Sequence, residues 1–178
     1  MIIYVSGGCK NGKSSHAEDW AIRLSGGKPL YYIATMIPHD DEDRARIRRH
    51  IESRAGKNFI TIERGMDIAG VIPELDAGGT YLMDSVTALL GNEMFHDGII
   101  DADAADRTVR DLKALAGSVA NIVFVSDFIY ADQGLYDEFT DGYLQGLAHI
   151  DRSMAEIADC VVEIVLAQPI IYKGSLPE

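Results

Sequence analysis

Near its start the chain reads Gly7-Gly8-Cys9-Lys10-Asn11-Gly12-Lys13-Ser14, which has the form G-x-x-x-x-G-K-S of a phosphate-binding P-loop. An apolar run rich in β-branched residues at 1–6 precedes this stretch and predicts a buried strand. Residues 15–24 follow it with apolar side chains at helical spacing, which predicts an α-helix. Because strand, glycine loop and helix are the setting in which this pattern binds phosphate, we expect a nucleotide site here. The alternative is a glycine turn before an ordinary helix.

The residue types in this loop suit the binding of a nucleoside triphosphate together with Mg²⁺. Glycines let backbone N–H groups turn towards phosphate oxygens, and the N-terminus of the following helix adds a partial positive charge. Lys13 can reach the β- and γ-phosphates, and the hydroxyl of Ser14 can ligate Mg²⁺. We therefore predict that residues 7–14 bind nucleotide, that Lys13 is catalytic and that Ser14 is a metal ligand.

Composition and charge narrow the classes of function. The chain has 178 residues, of which 47% are hydrophobic and 25% charged, and this balance suits one globular domain over residues 1–178. The formal net charge of -12 argues against a nucleic-acid partner. Cys9 and Cys160 have neither metal-ligand spacing nor a disulfide framework. We see no signal peptide, and no apolar run approaches the roughly 20 residues of a membrane span. We therefore expect a cytoplasmic protein that has no membrane span.

Apolar strand candidates alternate with helical stretches along the whole chain. This alternation predicts an α/β fold of three layers, with a mostly parallel sheet and helices on both faces. The predicted strands are residues 1–6, 29–34, 58–63, 79–84, 120–126 and 160–166. The predicted helices are residues 13–25, 40–54, 85–95, 101–117 and 135–158.

Three of the predicted strands end in residues that suit a ligand site. Ligands bind at the carboxyl edge of open parallel sheets, so we expect Ala34 and Thr35 to lie on the same edge as the P-loop. Asp84 and Asp127 each end a strand, and either carboxylate could hold Mg²⁺. The alternative for each is a helix N-cap, where Asp is favoured.

The predicted helix at 40–54 carries a basic stripe with one histidine. Its acidic residues come first and its basic residues later, which complements the helix dipole. We expect Ile47 and Ile51, four residues apart, to anchor one face of this helix. Arg46, His50 and Arg54 have the same spacing and share an adjacent stripe. A neutral imidazole there would be nucleophilic, whereas the alternative is a solvated basic face with an incidental histidine.

Several of these motifs occur in the order and spacing of one enzyme family. Besides the P-loop they are Tyr32-Ile33-Ala34-Thr35, Arg46-Ile47-Arg48-Arg49-His50, Thr61-Ile62-Glu63, and Asp84-Ser85-Val86-Thr87 with Asn92. The sequence resembles the bifunctional adenosylcobinamide kinase / adenosylcobinamide-phosphate guanylyltransferases of cobalamin assembly. The motif matches run from residue 1 to about 95 and resume weakly at 155–159 and in the final strand. The R-I-x-x-H helix is much more specific than the P-loop.

This resemblance implies a P-loop α/β fold, a homotrimer and two successive reactions. Members of the family phosphorylate the hydroxyl of the aminopropanol arm of adenosylcobinamide with ATP or GTP, and then attach GMP from GTP. His50 corresponds to the histidine that carries GMP covalently, so the resemblance makes it a catalytic nucleophile. Outside the P-loop, the implied nucleotide contacts are Ala34, Thr35, Ile51, Glu52, Ser53, Arg54, Glu63 and Asp84.

We expect Asp84 rather than Asp127 to serve Mg²⁺. The resemblance assigns this role to Asp84, and we expect its strand to lie beside the P-loop strand. The chain departs from the family at 127–130, which reads Asp-Phe-Ile-Tyr in place of Asn-Glu-Val-Gly, and again at 148–152. Two other functions compete: a different small-molecule P-loop kinase in which His50 is structural, and a nucleotide-binding regulatory module without catalysis.

Overall fold

A computed structural model of the chain describes residues 1–130, 134 and 136–177. Its strands are β1 (Ile2–Gly7), β2 (Leu30–Ala34), β3 (Ile60–Glu63), β4 (Thr80–Asp84), β5 (Phe95–His96), β6 (Ile99–Ile100), β7 (Asn121–Val125), β8 (Cys160–Val165) and β9 (Gln168–Lys173). Its α-helices are α1 (Lys13–Ser25), α2 (Asp41–Ser53), α3 (Val86–Met94), α4 (Ala104–Ser118) and α5 (Glu138–Ile157). A 3-10 helix covers Ile68–Glu74.

Within the described residues the main sheet has seven strands in the order β3-β2-β4-β7-β1-β8-β9. The first six pair in parallel, and β9 returns antiparallel to β8. The expectation that the strand of Asp84 lies beside the P-loop strand is wrong, because β7 pairs with β1 on one side and β4 on the other. The carboxyl ends of β1, β2, β4 and β7 still share one edge of the sheet, as parallel pairing requires.

The sheet separates two hydrophobic clusters, and alternate residues of each inner strand enter opposite clusters. In β1, Ile3 and Val5 pack with Trp20 of α1, whereas Tyr4 faces the other side. Phe124 of β7 packs beside Tyr4 in that second cluster, which the buried faces of α3, α4 and α5 complete. Burial on both faces explains why these strands read as continuous apolar runs. The result is the three-layer α/β fold that the sequence predicts.

The six predicted strands and five predicted helices are all present, with ends displaced by no more than a few residues. Position 135, the predicted start of the last helix, lies outside the described residues. The short β5–β6 hairpin, the 3-10 helix and β9 carry no signal that we recognised in the sequence. Every residue of β9 is exposed, so it shows no buried apolar pattern. Over the described ranges, no helix is both long and apolar enough to cross a membrane.

Candidate functional site

The P-loop connects β1 to α1, and two of its glycines have conformations that exclude a side chain. Gly7 has φ +146°, and a Cβ there would lie 2.6 Å from the carbonyl oxygen of Ile164 in β8. Gly12 has φ +93° and lies immediately before α1. Left-handed backbone at these positions favours glycine, so the loop bends sharply between strand and helix as a phosphate site requires.

Lys13 is buried at the first turn of α1 and is held by two oxygens. Its Nζ donates a hydrogen bond to the carbonyl oxygen of Gly8 at 2.7 Å. The same Nζ lies 2.8 Å from Oδ1 of Asp127, the first acidic residue after β7. Only 6% of the Lys13 side chain is exposed. Because water screens a buried charge less than an exposed one, the Lys13 ammonium attracts a nearby anion more strongly.

Asp84 ends β4 and meets the P-loop although β7 separates the two strands. Its Oδ2 accepts hydrogen bonds from the Ser14 hydroxyl at 3.0 Å and from the Tyr32 hydroxyl at 3.2 Å. Burial is the main cause that raises the pKa of Tyr32, and the nearby carboxylate of Asp84 raises it further. The Tyr32 hydroxyl therefore stays protonated and can donate. Ser14 and Asp84 thus bring two side-chain oxygens together beside the loop.

This pair of oxygens fits Mg²⁺ bound with a nucleotide. Mg²⁺ is commonly held by one or two protein oxygens, with phosphate and water completing its octahedron. In the part of the chain that the structure describes, no group of three His, Cys, Asp or Glu side chains could form a metal site made of protein ligands alone. The chemistry of Ser14 and Asp84 therefore suits a cation that arrives with phosphate.

Arg54 joins the end of α2 to the same site. Its guanidinium carbon lies 3.4 Å from the centroid of the Tyr32 ring, a cation–π contact. Arg54 is 7% exposed, and its Nη1 has no hydrogen-bond partner among the described residues. Since Tyr32 in turn donates to Asp84, the C-terminal end of α2 is tied to the proposed metal ligand through one aromatic ring.

His50 lies one helical turn before Arg54 on α2. It is half-buried, and no described residue hydrogen-bonds to its imidazole ring. None of the residues of α2 itself is buried. The expectation that Ile47 and Ile51 anchor this helix is therefore wrong, since Ile51 is 54% exposed. Arg54 forms the buried contact instead, because its planar cation can stack on Tyr32 at the helix end.

Comparison with known proteins identifies the family. The statistical model of the family described as cobinamide kinase / cobinamide phosphate guanyltransferase matches residues 3–171. The chain belongs to this family. Two relatives are each called bifunctional adenosylcobalamin biosynthesis protein CobU: the Escherichia coli protein is 33% identical over 99 residues, and the Salmonella typhimurium protein 36% over 98. The chain spans about half the length of these curated relatives: the matches cover 55% and 53% of this chain, and 52% and 51% of theirs.

Two solved structures share the fold of this chain at low sequence identity. The crystal structure of the flagellar accessory protein FlaH from Methanocaldococcus jannaschii has a TM-score of 0.52 at 13% identity, covering 98% of this chain and 78% of FlaH. A second solved structure, of an ATPase domain, has a TM-score of 0.55 at 12% identity, covering 97% of this chain and 76% of that domain. At such low identity these similarities show the P-loop α/β fold alone.

The remaining positions that the family resemblance implies lie in different environments. Thr35 is fully buried, and its hydroxyl donates to the Ser85 carbonyl oxygen at 2.8 Å and accepts from the Ser85 N–H at 2.7 Å. Asn11 donates from its side-chain amide to the carbonyl oxygen of Ile164. Gly8 and Ala34 are half-buried, and the exposed positions are Cys9, Lys10, Ile51, Glu52, Ser53 and Glu63. Nucleotide contact by these residues stays a prediction.

Two positioning residues at this edge of the sheet have weak sequence signals. Tyr32 reads as one more apolar residue of a strand, and nothing local indicates that its hydroxyl reaches Asp84. Asn92 of α3, part of the motif shared with the family, donates to the carbonyl oxygens of Thr35 at 2.8 Å and Gly65 at 2.9 Å. It therefore fixes the two loops that follow β2 and β3. Only the spacing within the family motif could have indicated Asn92.

Proposed function

We propose that this chain phosphorylates adenosylcobinamide with ATP or GTP, and then transfers GMP from GTP to the phosphorylated product through a guanylylated His50. The observation that carries the proposal is the Ser14–Asp84 pair beside a buried Lys13, with the end of the His50 helix tied to it through Arg54 and Tyr32. These contacts support a triphosphate site at one edge of the sheet, with the helix that carries His50 linked to it at its C-terminal end. Membership of the cobinamide kinase / cobinamide phosphate guanyltransferase family supports both reactions.

In the first reaction the chain would bind and orient the γ-phosphate of the nucleotide. Lys13 would exchange its contact with Asp127 for a phosphate oxygen and offset negative charge on the transferred group. Ser14 and Asp84 would hold Mg²⁺, which offsets phosphate charge when it is bound. The hydroxyl oxygen of the acceptor would form a bond to the γ-phosphorus while the bond to the leaving nucleoside diphosphate breaks.

In the second reaction His50 would act as a nucleophile. A ring nitrogen would attack the α-phosphorus of GTP, pyrophosphate would leave with the electron pair of the broken P–O bond, and a phosphoramidate would form. A phosphate oxygen of the phosphorylated acceptor would then attack the same phosphorus and release His50. The guanidinium of Arg54, with Nη1 unpartnered among the described residues, is suited to bind the transferred phosphate. A homotrimer stays a prediction from the family resemblance, and a cytoplasmic location stays a prediction from the sequence.

The test is to incubate the protein with adenosylcobinamide, GTP and Mg²⁺ and to identify the products by mass. The proposal expects the phosphorylated corrinoid to appear first and the GDP-linked corrinoid to follow. A second arm supplies GTP labelled at the α-phosphate without corrinoid, and expects acid-labile label on the protein. Phosphorylation without any protein-bound label would favour a kinase that lacks the second reaction, and absence of both products would refute the proposal.

A further inference from the structure

The ion pair between Lys13 and Asp127 has no role in the chemistry of either proposed reaction. Lys13 is the cation that a P-loop directs at the β- and γ-phosphates of a nucleotide. Its Nζ nevertheless lies 2.8 Å from Oδ1 of Asp127, and only 6% of the Lys13 side chain and 18% of the Asp127 side chain are exposed. A carboxylate of the protein itself therefore already neutralises the phosphate-binding cation.

Hydrogen bonds of the backbone fix the position of Asp127. The N–H groups of the consecutive residues 126–128 donate to Val5 O at 2.9 Å, Thr87 Oγ1 at 2.8 Å and Gly7 O at 2.9 Å, respectively. These contacts join the end of β7 to the P-loop strand and to α3. Because they hold the backbone of Asp127, the long side chain of Lys13 is the partner that has to move when the pair opens.

A buried carboxylate beneath this segment strengthens the same arrangement. Asp151 of α5 accepts hydrogen bonds from the Ser126 hydroxyl at 2.8 Å, the Tyr130 hydroxyl at 2.9 Å and the Tyr4 hydroxyl at 2.5 Å. Ser126 and Tyr130 precede and follow Asp127 in the chain, so Asp151 holds the segment on both sides of it. The charge of Asp127 therefore stays beside the P-loop when Lys13 leaves it.

The two segments that build this arrangement are those in which the chain departs from the family pattern. Asp127 stands where the pattern has Asn, and Tyr130 stands where it has Gly. Asp151 lies in the second departing segment, 148–152, and its contact with Tyr130 joins the two segments. A neutral Asn at position 127 could still accept a hydrogen bond from Lys13, but it would not neutralise the charge. The ion pair is therefore a feature of this chain and is not a requirement of the two reactions.

An incoming nucleoside triphosphate has to compete with Asp127 for Lys13. The ammonium loses a short, charge-assisted contact when it turns from the carboxylate to a phosphate oxygen. The carboxylate that it leaves behind then faces phosphate oxygens of the same sign. Water screens both effects weakly, because the two side chains are largely buried. Each effect lowers the net affinity that the contact between Lys13 and phosphate provides.

We propose that Asp127 restrains nucleotide binding through an autoinhibitory contact, in which it holds Lys13 until a triphosphate displaces it. This inference rests on the proposed function, because the nucleotide concerned is the one that both reactions use. The sign of the effect separates this role from others that a carboxylate beside a P-loop can have. Loss of a metal ligand, of a general base or of a residue that positions Lys13 predicts weaker binding or slower turnover. Loss of a restraint predicts tighter binding.

The test compares Asp127→Asn with the unaltered protein by isothermal titration calorimetry, with a non-hydrolysable GTP analogue and Mg²⁺. The amide keeps the shape of the side chain and can still accept from Lys13, but it carries no charge. Since a charge-assisted hydrogen bond is about twice as strong as a neutral one, we expect the Kd to fall by about tenfold, or about 1.4 kcal/mol. Without ligand, the same variant should unfold at lower denaturant concentration, because the buried charge of Lys13 loses its partner.

Two further variants separate the charge of Asp127 from other causes. Asp127→Glu keeps the carboxylate and should bind the analogue within about threefold of the unaltered protein. Asp19→Asn removes the same charge from an exposed position on α1 and should leave the Kd unchanged.

Three outcomes would overturn the inference. Weaker binding by Asp127→Asn would make Asp127 a metal ligand or a positioning residue for Lys13, and an unchanged Kd would show that it imposes no restraint. Equal gains in Asp127→Asn and Asp127→Glu would show that the charge is not the cause. If neither the unaltered protein nor Asp127→Asn bound the analogue, the proposed function would be refuted and the inference with it.

Discussion

Replacing Lys13 with alanine should weaken nucleotide binding and suppress both activities. In the free protein Lys13 Nζ lies 2.7 Å from Gly8 O and 2.8 Å from Asp127 Oδ1, and 6% of the side chain is exposed. A phosphate oxygen that enters this position therefore meets a desolvated cation. Lys13→Ala removes that cation and leaves the carboxylate of Asp127 facing the phosphates.

The expected loss of nucleotide affinity follows from the contacts that Lys13→Ala removes. A hydrogen bond to a charged group contributes about 1.5–3 kcal/mol, so loss of one phosphate contact predicts roughly 10- to 150-fold weaker binding. Repulsion between the phosphates and Asp127 adds to this loss. The free energy of unfolding should fall by only about 1 kcal/mol, because water reaches the partly exposed carboxylate of Asp127.

Isothermal titration calorimetry with a non-hydrolysable GTP analogue and Mg²⁺ measures the affinity, and chemical denaturation measures the stability. Lys28→Ala is the matched control, because it removes the same charge from an exposed turn between α1 and β2. It should leave affinity and turnover unchanged. If Lys13→Ala kept nucleotide affinity and both activities within about threefold, a difference below 1 kcal/mol, the assignment of the P-loop would be wrong.

Substitutions at His50, Asp84 and Gly7 test separate parts of the site. His50→Ala and His50→Asn should abolish the acid-labile label derived from GTP while kinase turnover persists; label that survives in both would place the covalent site elsewhere. Asp84→Asn should raise the Mg²⁺ concentration for half-maximal turnover at least tenfold in a metal titration, and an unchanged titration would remove its role as a ligand. Gly7→Ala should lower the free energy of unfolding by about 2 kcal/mol or more, measured by chemical denaturation, because its φ is strained for alanine and its Cβ would clash with Ile164 O. Gly8→Ala, whose Cβ would meet nothing within 4 Å, should cost less than about 1 kcal/mol in the same measurement.

Much of the fold could be predicted because its signals are local. The strand–loop–helix around Gly7 and Gly12 is encoded in adjacent residues, and the structure confirms strand and helix there. The inner strands read as apolar runs since both of their faces are buried. β9 is the counter-example: an exposed edge strand has no apolar alternation, and it forms because backbone groups of β8 pair with it.

The partners of the site residues could not be predicted in the same way. The sequence indicated that Asp84 and Asp127 end strands, but their separate partners depend on strand order. Because β7 lies between β1 and β4, Asp127 reaches Lys13 while Asp84 reaches Ser14. No local pattern specifies that order, since it depends on how helices distant in sequence pack on the two faces.

The helix that carries His50 also shows what the sequence predicts and what only tertiary packing decides. Acidic residues early and basic residues late in this stretch predicted α2, because they complement the dipole of a helix. The isoleucine spacing indicated an apolar anchor, yet the buried contact is made by Arg54 on Tyr32. Helical periodicity places residues on a face, whereas only tertiary packing decides which face meets a partner. A cation can replace an apolar anchor where an aromatic ring lies within reach.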